Sequence, residues 1–218
     1  MPPGEDPAVT RASEIAAIGL RGDAPAEAVD DASGRGFEDP DARVRAAAIA
    51  TAARAGTAAA AARLVEGGLR DPDVAVRRRA AELGPEIAPR CDPQRIATML
   101  VDTLGDVDAT VIEAAAWALG ELGVTAVAAG AVAALSTTAT THDDPLAREA
   151  AVAALGALGD PQGLDAILRA CTDKPAVRRR AVLALAPYDG DAVDAALAAA
   201  LEDRDWQVRQ AAEDLLGP

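Results

Sequence analysis

DRDWQVRQAAEDLLG, residues 203–217, restates what the chain has already written as DPDVAVRRRAAELG at 71–84 and DPDARVRAAAIATAA at 39–53. Each copy places an aspartate six residues ahead of the second member of a Val-Arg pair and follows the pair with an alanine-rich run. Aligned on that pair, the chain has six units: Val44-Arg45, Val76-Arg77, Val111-Ile112, Ala147-Arg148, Val177-Arg178 and Val208-Arg209. The pair recurs every 30 to 36 residues, the period of a helical array.

A second position confirms the register. Three residues past the marker stand Ala48, Ala80, Ala115, Ala151, Ala181 and Ala212, a small residue every time, which lets two helix backbones approach closely. Six residues before it stand Asp39, Asp71, Asp106, His142, Thr172 and Asp203, where aspartate beside proline reads as a capped helix start. Segments such as PQRIATMLVDTL, LDAILRACTD and AVDAALAAALED supply a first helix, and the marker lies on a second. A lone pair of this kind cannot bury its apolar face, so neighbours stack into a solenoid with one long groove.

The pattern D-P-x-x-x-V-R-x-x-A-A-x-A-L-G, carried by LRDPDVAVRRRAAELG and DDPLAREAAVAALGALGD, resembles HEAT repeats, in particular the short HEAT-like type of phycobilisome lyases. The resemblance implies an all-α, right-handed α-solenoid of about six stacked helix pairs, with the second helix of each pair on the concave side. It also implies a ladder between repeats from Asp39, Asp71, Asp203, Arg45, Arg77, Arg148, Arg178 and Arg209, residues assigned to structure. The ladder is expected to weaken in the third to fifth units, where Ile112 replaces arginine and His142 and Thr172 replace aspartate. The expected organisation is a flexible tail at 1–7 and one solenoid domain at 8–218. Within it, 8–35 form diverged first helices or a cap, and 36–217 the recognisable repeats.

Composition narrows the function. Aromatics are 2% of a chain that is half apolar, so alanine carries the close packing and little is left to build an aromatic pocket. A net charge of -14 repels polyphosphate at long range and disfavours nucleic acid as a partner. No apolar leader follows a basic start, and no run approaches the ~18 apolar residues of a membrane span, so a cytoplasmic protein without membrane attachment is expected. Abundant Ala, Arg and Asp match a high-GC bacterial genome. Cys91 and Cys171 read as buried free thiols, and His142, in THDDP, as a turn residue beside the capping pair Asp143 and Asp144. No phosphate-binding loop, nucleophile elbow or zinc-helix motif occurs, so neither catalytic residue, metal nor cofactor is expected.

Helical geometry at about 100° per residue turns the slots one and five past the marker away from the core. The first holds Ala46, Arg78, Glu113, Glu149, Arg179 and Gln210; the other holds Ala50, Glu82, Trp117, Ala153, Leu183 and Asp214. These vary while the inward slots do not. Trp117, with Glu113 and Glu121 one turn to either side, is the leading contact residue; the alternative is that it fills a gap between repeats. Glu149, Glu82, Arg78, Arg179 and Leu183 complete the expected binding surface. Arg78, Arg79, Arg179 and Arg180 are left for solvent or for a partner basic in its middle and acidic near its ends. Phe37 and Tyr188 align with leucine and isoleucine as core, and Trp206 aligns with Ala42, Val74, Ala109, Pro145 and Pro175 as packing in the last turn. The threonine-rich connection LSTTATTHDDP, with the lost ladder residues, marks an expected hinge.

The expected function is a non-catalytic interaction scaffold or adaptor, monomeric on its own, that grips another protein or peptide along the concave groove. The resemblance also admits an enzyme of the alkylpurine DNA glycosylase or bilin lyase kind. Acidity and scarce aromatics weigh against both.

Overall fold

The structure is a computed structural model that describes residues 6–217. Of the expected tail at 1–7, residues 1–5 lie outside the described residues, while Asp6 caps and Pro7 begins the first helix. Among the described residues the regular structure is entirely helical. The chain divides between Met99 and Leu100 into two compact units.

In the first unit, α1 (Pro7–Leu20), α3 (Ala42–Ala55) and α5 (Val74–Ile87) pack in succession, backed by α2 (Ala26–Phe37) and α4 (Ala58–Gly68); α6 (Pro93–Thr103) spans the division. In the second, α7 (Ala109–Leu122), α10 (Pro145–Leu158), α12 (Pro175–Ala184) and α14 (Trp206–Leu216) form one layer. Behind them lie α9 (Ala131–Thr141), α11 (Leu164–Ala170) and α13 (Asp191–Leu201), with the short α8 (Val124–Ala128) leading into α9. Every marker pair sits on a helix of its own. All six alanines three residues past the marker have no exposed surface, and the residue before each marker is at most 1% exposed. Approach to the backbone of a neighbouring helix is tightest at Gly156 of α10, where a Cβ would meet Cα and Cβ of Ala184 at 2.7 Å.

The turn aspartates divide two tasks that the sequence reading had merged. In four of these turns the N-cap is the second aspartate: Asp41, Asp73, Asp144 and Asp205 accept from the backbone N–H groups of Arg43, Ala75, Leu146 and Gln207, whereas Lys174 stands at the start of α12 without a side-chain cap. The first aspartate braces the turn, as Asp203 does by accepting from the N–H of Asp205 at 2.8 Å, and also faces the neighbouring repeat. Each rung has one form. Arg45 donates Nη1 to the carbonyls of Asp39 and Pro40 in its own turn, and Nε and Nη2 to the Asp71 carboxylate of the next. Arg148 and Arg178 do likewise to Asp173 and Asp203. Arg77 donates to the carbonyls of Asp71 and Pro72, and Arg209 to that of Asp203.

Several expectations need correction. The loss of aspartate at Thr172 opens no gap, because the next residue, Asp173, binds Arg148 bidentately at 2.7 Å. The first unit has a rung not foreseen, Arg11 to Asp39 at 2.7 and 3.0 Å, although the spacing from Arg11 to Asp39 resembles that from Arg45 to Asp71. The supposed connection at 135–145 is helix as far as Thr141. There Thr138 and Thr141 donate their hydroxyls to the carbonyls of Ala134 and Thr137, so threonine is satisfied without leaving the helix. Neither cysteine is fully buried: Cys91 donates its thiol to the carbonyl of Ala58, and partial burial pushes the Cys171 thiol up to about 11.

Candidate interaction surface

Trp117 stands on the exposed side of α7 with 51% of its surface accessible, so it is not filler between repeats. Its neighbours at the inward positions, Ala115, Ala116, Ala118 and Leu119, carry the helix packing with no exposed surface, which leaves the indole on the opposite face. A groove of about 360 Å³ opens beside it between α7 and α10. Leu146, Ala150, Ala153, Ala154 and Ala157 make an apolar floor, and Glu113, Glu121, Glu149 and Arg180 stand around it. Small side chains on α10 leave room for the groove: bulky ones at Ala153 or Ala157 would intrude on it.

The carboxylates differ. Glu149 lies 3.5 Å from Nη2 of Arg180 on α12, while Glu113 and Glu121 are exposed and have neither an ion pair nor a hydrogen bond among the described residues. Arg180 was expected to be free and is instead drawn across to Glu149, with its Nε buried and without an acceptor.

The other expected binding residues lie elsewhere. Arg179 and Leu183 of α12 line a second groove of about 240 Å³ with Gln210, Asp214 and Trp206 of α14. Trp206 is 65% exposed, which corrects its assignment to packing. The slot is the first residue of each marker helix, at the rim of the layer. None of Ala42, Val74, Ala109, Pro145 or Pro175 is buried there either, so shared apolar character reflected tolerance at an edge. Arg78 and Glu82, on α5 of the first unit, form an ion pair at 3.4 Å. Arg79, also expected to be free, holds the same carboxylate at 3.0 Å.

The remaining aromatics are partly buried. Phe37 sits over Gly67, where a Cβ would meet its ring at 2.9 Å, and the Tyr188 hydroxyl donates toward the carbonyls of Leu155 and Asp160. His142 uses Nδ1 to accept from the N–H of Asp144 at 3.1 Å, the bracing task that aspartate performs in other turns. Among the described residues, no three of His, Cys, Asp or Glu come together to hold a metal ion, and no helix is long and apolar enough to cross a membrane.

Comparison with known proteins places the fold. Residues 132–217 match the family model of HEAT repeats. No curated protein matches the chain. Among solved structures, the crystal structure of an engineered protein aligns with a TM-score of 0.62 at 23% identity, over 86% of this chain and 96% of that one. A designed armadillo repeat protein in complex with a (KR)4 peptide aligns with a TM-score of 0.61 at 16% identity, over 93% of this chain and 97% of that one. The E. coli protein YibA aligns with a TM-score of 0.64 at 18% identity, over 97% of this chain and 75% of that one. The fold is therefore that of all-helical repeat proteins, and over residues 132–217 the chain matches the HEAT repeats.

Proposed function

We propose that this chain is a non-catalytic interaction module that holds a segment of another protein on the exposed face of α7 and α10, with Trp117 as the anchor. The observation that carries the reading is a half-exposed indole beside a preformed groove with an alanine floor. Large aromatic side chains that keep a rigid accessible face are enriched at binding hot spots, and a groove formed in advance lowers the ordering cost of association. A designed repeat protein of similar fold binds a peptide, which supports an extended segment as the kind of partner. Catalysis is no part of the proposal: the groove's polar groups are carboxylates and one arginine paired to Glu149. An acidic rim opposes DNA phosphate, which weighs against a glycosylase-like role for Trp117 and its neighbouring glutamates.

The test is co-purification from the source cells with wild type and Trp117→Ala in parallel, nucleic acid being assayed in the same eluates and each recovered protein re-tested as a purified pair. The reading requires a protein that binds wild type directly and loses binding with the variant. A partner indifferent to the substitution, or nucleic acid alone, would overturn it.

A further inference from the structure

On the rim of the α7–α10 groove, two negative charges have no ionic partner among the described residues. Glu113 and Glu121 flank Trp117 at four residues before and four after, on one face of α7 within about 12 Å of helix rise. Both are exposed, and among the described residues neither has an ion pair or hydrogen bond. Between them in sequence stands the half-exposed indole of Trp117, and the quadrupole of an aromatic ring attracts cations. The floor below is alanine and leucine. A neutral apolar residue would use that floor and leave the carboxylates idle, and an acidic one would be repelled. A lysine or arginine uses all three features: its aliphatic stem covers the floor, its charge lies on the ring, and its head reaches the carboxylates.

The same layer limits where that cation can sit. Beyond α10 the face carries Arg179 and Arg180 on α12, and Arg180 already occupies Glu149. Positive charge on the partner is thus accommodated at the α7 side of the second unit and opposed at α12. We infer that the α7–α10 groove is a receptor for a basic side chain, presented by an extended protein segment and seated on Trp117 between Glu113 and Glu121. This rests on the reading of Trp117 as a binding anchor and names the chemistry of its partner. A segment, rather than a free polyamine, is the occupant because the exposed face continues past the groove to a second one, where Trp206 stands open beside Leu183.

The test is selection of random peptides displayed on phage, panned in parallel against the full chain and its Trp117→Ala variant. The selected peptide is then synthesised and its affinity measured by titration calorimetry. Trp117-dependent peptides enriched in Arg or Lys are expected, weakened about ten-fold or more by the double variant Glu113→Gln/Glu121→Gln. Asp191→Asn/Asp194→Asn, which removes the same charge from exposed positions on α13 in the other layer, leaves affinity within about two-fold and controls for the net charge of the chain. Peptides that depend on Trp117 without basic enrichment overturn the inference and leave the scaffold reading standing. Equal weakening by the two double variants also overturns it, since attraction is then general, as does displacement of the peptide by spermidine at equal concentration. Failure to select any Trp117-dependent peptide overturns the anchor itself. All the substituted side chains are exposed, and circular dichroism confirms that each variant is folded.

Discussion

Arg178 of α12 binds both carboxylate oxygens of Asp203, Nε to Oδ2 at 2.8 Å and Nη2 to Oδ1 at 2.7 Å, while its third nitrogen, Nη1, donates to the carbonyl of Asp173 in its own turn. One side chain thereby ties two consecutive turns, with 6% of its surface exposed. A planar guanidinium suits this because it presents its donors in a fixed fork, which lysine cannot reproduce.

Removing that fork should cost more than an ordinary surface ion pair. Arg178→Ala is expected to destabilise by about 2 kcal/mol, since it strands a largely buried carboxylate, and Arg178→Lys by about half as much. Urea denaturation of both, and a double-mutant cycle with Asp203→Ala, measures the coupling; a coupling near zero would mean that solvent satisfies the turn equally well.

Acid should act through the same rungs. The guanidinium groups of Arg178 and Arg148 hold the carboxyls of Asp203 and Asp173 below the usual carboxylate range. At Asp71, burial pushes upward, but Arg45 and the N–H of Asp73 outweigh it and the net shift is downward. Because these values are depressed in the folded chain, the stability they contribute is complete above the unfolded value of about 4 and is lost as pH falls through the folded values. The urea midpoint of wild type should hold from neutral pH to about 5 and decline below 4, with a shallower decline for Arg178→Met/Asp203→Asn.

One rung is absent at both ends. Ile112, fully buried, occupies the arginine slot of α7, and His142 occupies the aspartate slot of the following marker helix. Installing only the cation, Ile112→Arg, should destabilise by about 3 kcal/mol by burying an unpaired charge. Adding His142→Asp should recover at least about 1 kcal/mol of that loss, because aspartate accepts from the N–H two residues on, as His142 does, and also pairs with the arginine. Calorimetric unfolding of the two single variants and the double variant decides it; additive losses would show that α7 and α10 do not accommodate a rung.

Gly156→Ala should cost about 1–3 kcal/mol, since the added carbon meets backbone of α12 that cannot turn aside. Gly34→Ala, on α2, meets nothing within 4 Å and should be neutral or stabilising by up to about 1 kcal/mol through reduced unfolded-state freedom. Thermal melts of the pair provide an internal comparison.

Both tryptophans should be dispensable for folding. Trp117→Ala and Trp206→Ala are each expected to change unfolding free energy by less than about 1 kcal/mol, because neither indole is buried. A loss at Trp117 above about 2 kcal/mol in urea denaturation would identify it as packing and remove it from the surface.

The marker helices were legible because a period of 30 to 36 residues, an invariant alanine and a buried valine or alanine all report on helix stacking. Trp117 was legible for the same reason, as helical register assigned it to the face opposite the core. Trp206 was misread because its slot lies at a helix start, where small apolar residues are tolerated without being buried. Thr172 was misread because a carboxylate one residue along the same turn reaches the arginine.

What the sequence determined by itself was the helical repeat and the side of each helix that faces the core, since both follow from local periodicity and from the size of residues at fixed spacing. Tertiary structure alone decided which charges are neutralised across helices. Glu149 is met by Arg180 from the next helix, whereas Glu113 and Glu121 have no such partner among the described residues and remain open beside Trp117. Within a helix, as for Glu82 with Arg78 and Arg79, spacing along the chain brings the charges together, but a pair between helices depends on side chains arriving within a few ångströms of one another, and no spacing encodes that distance.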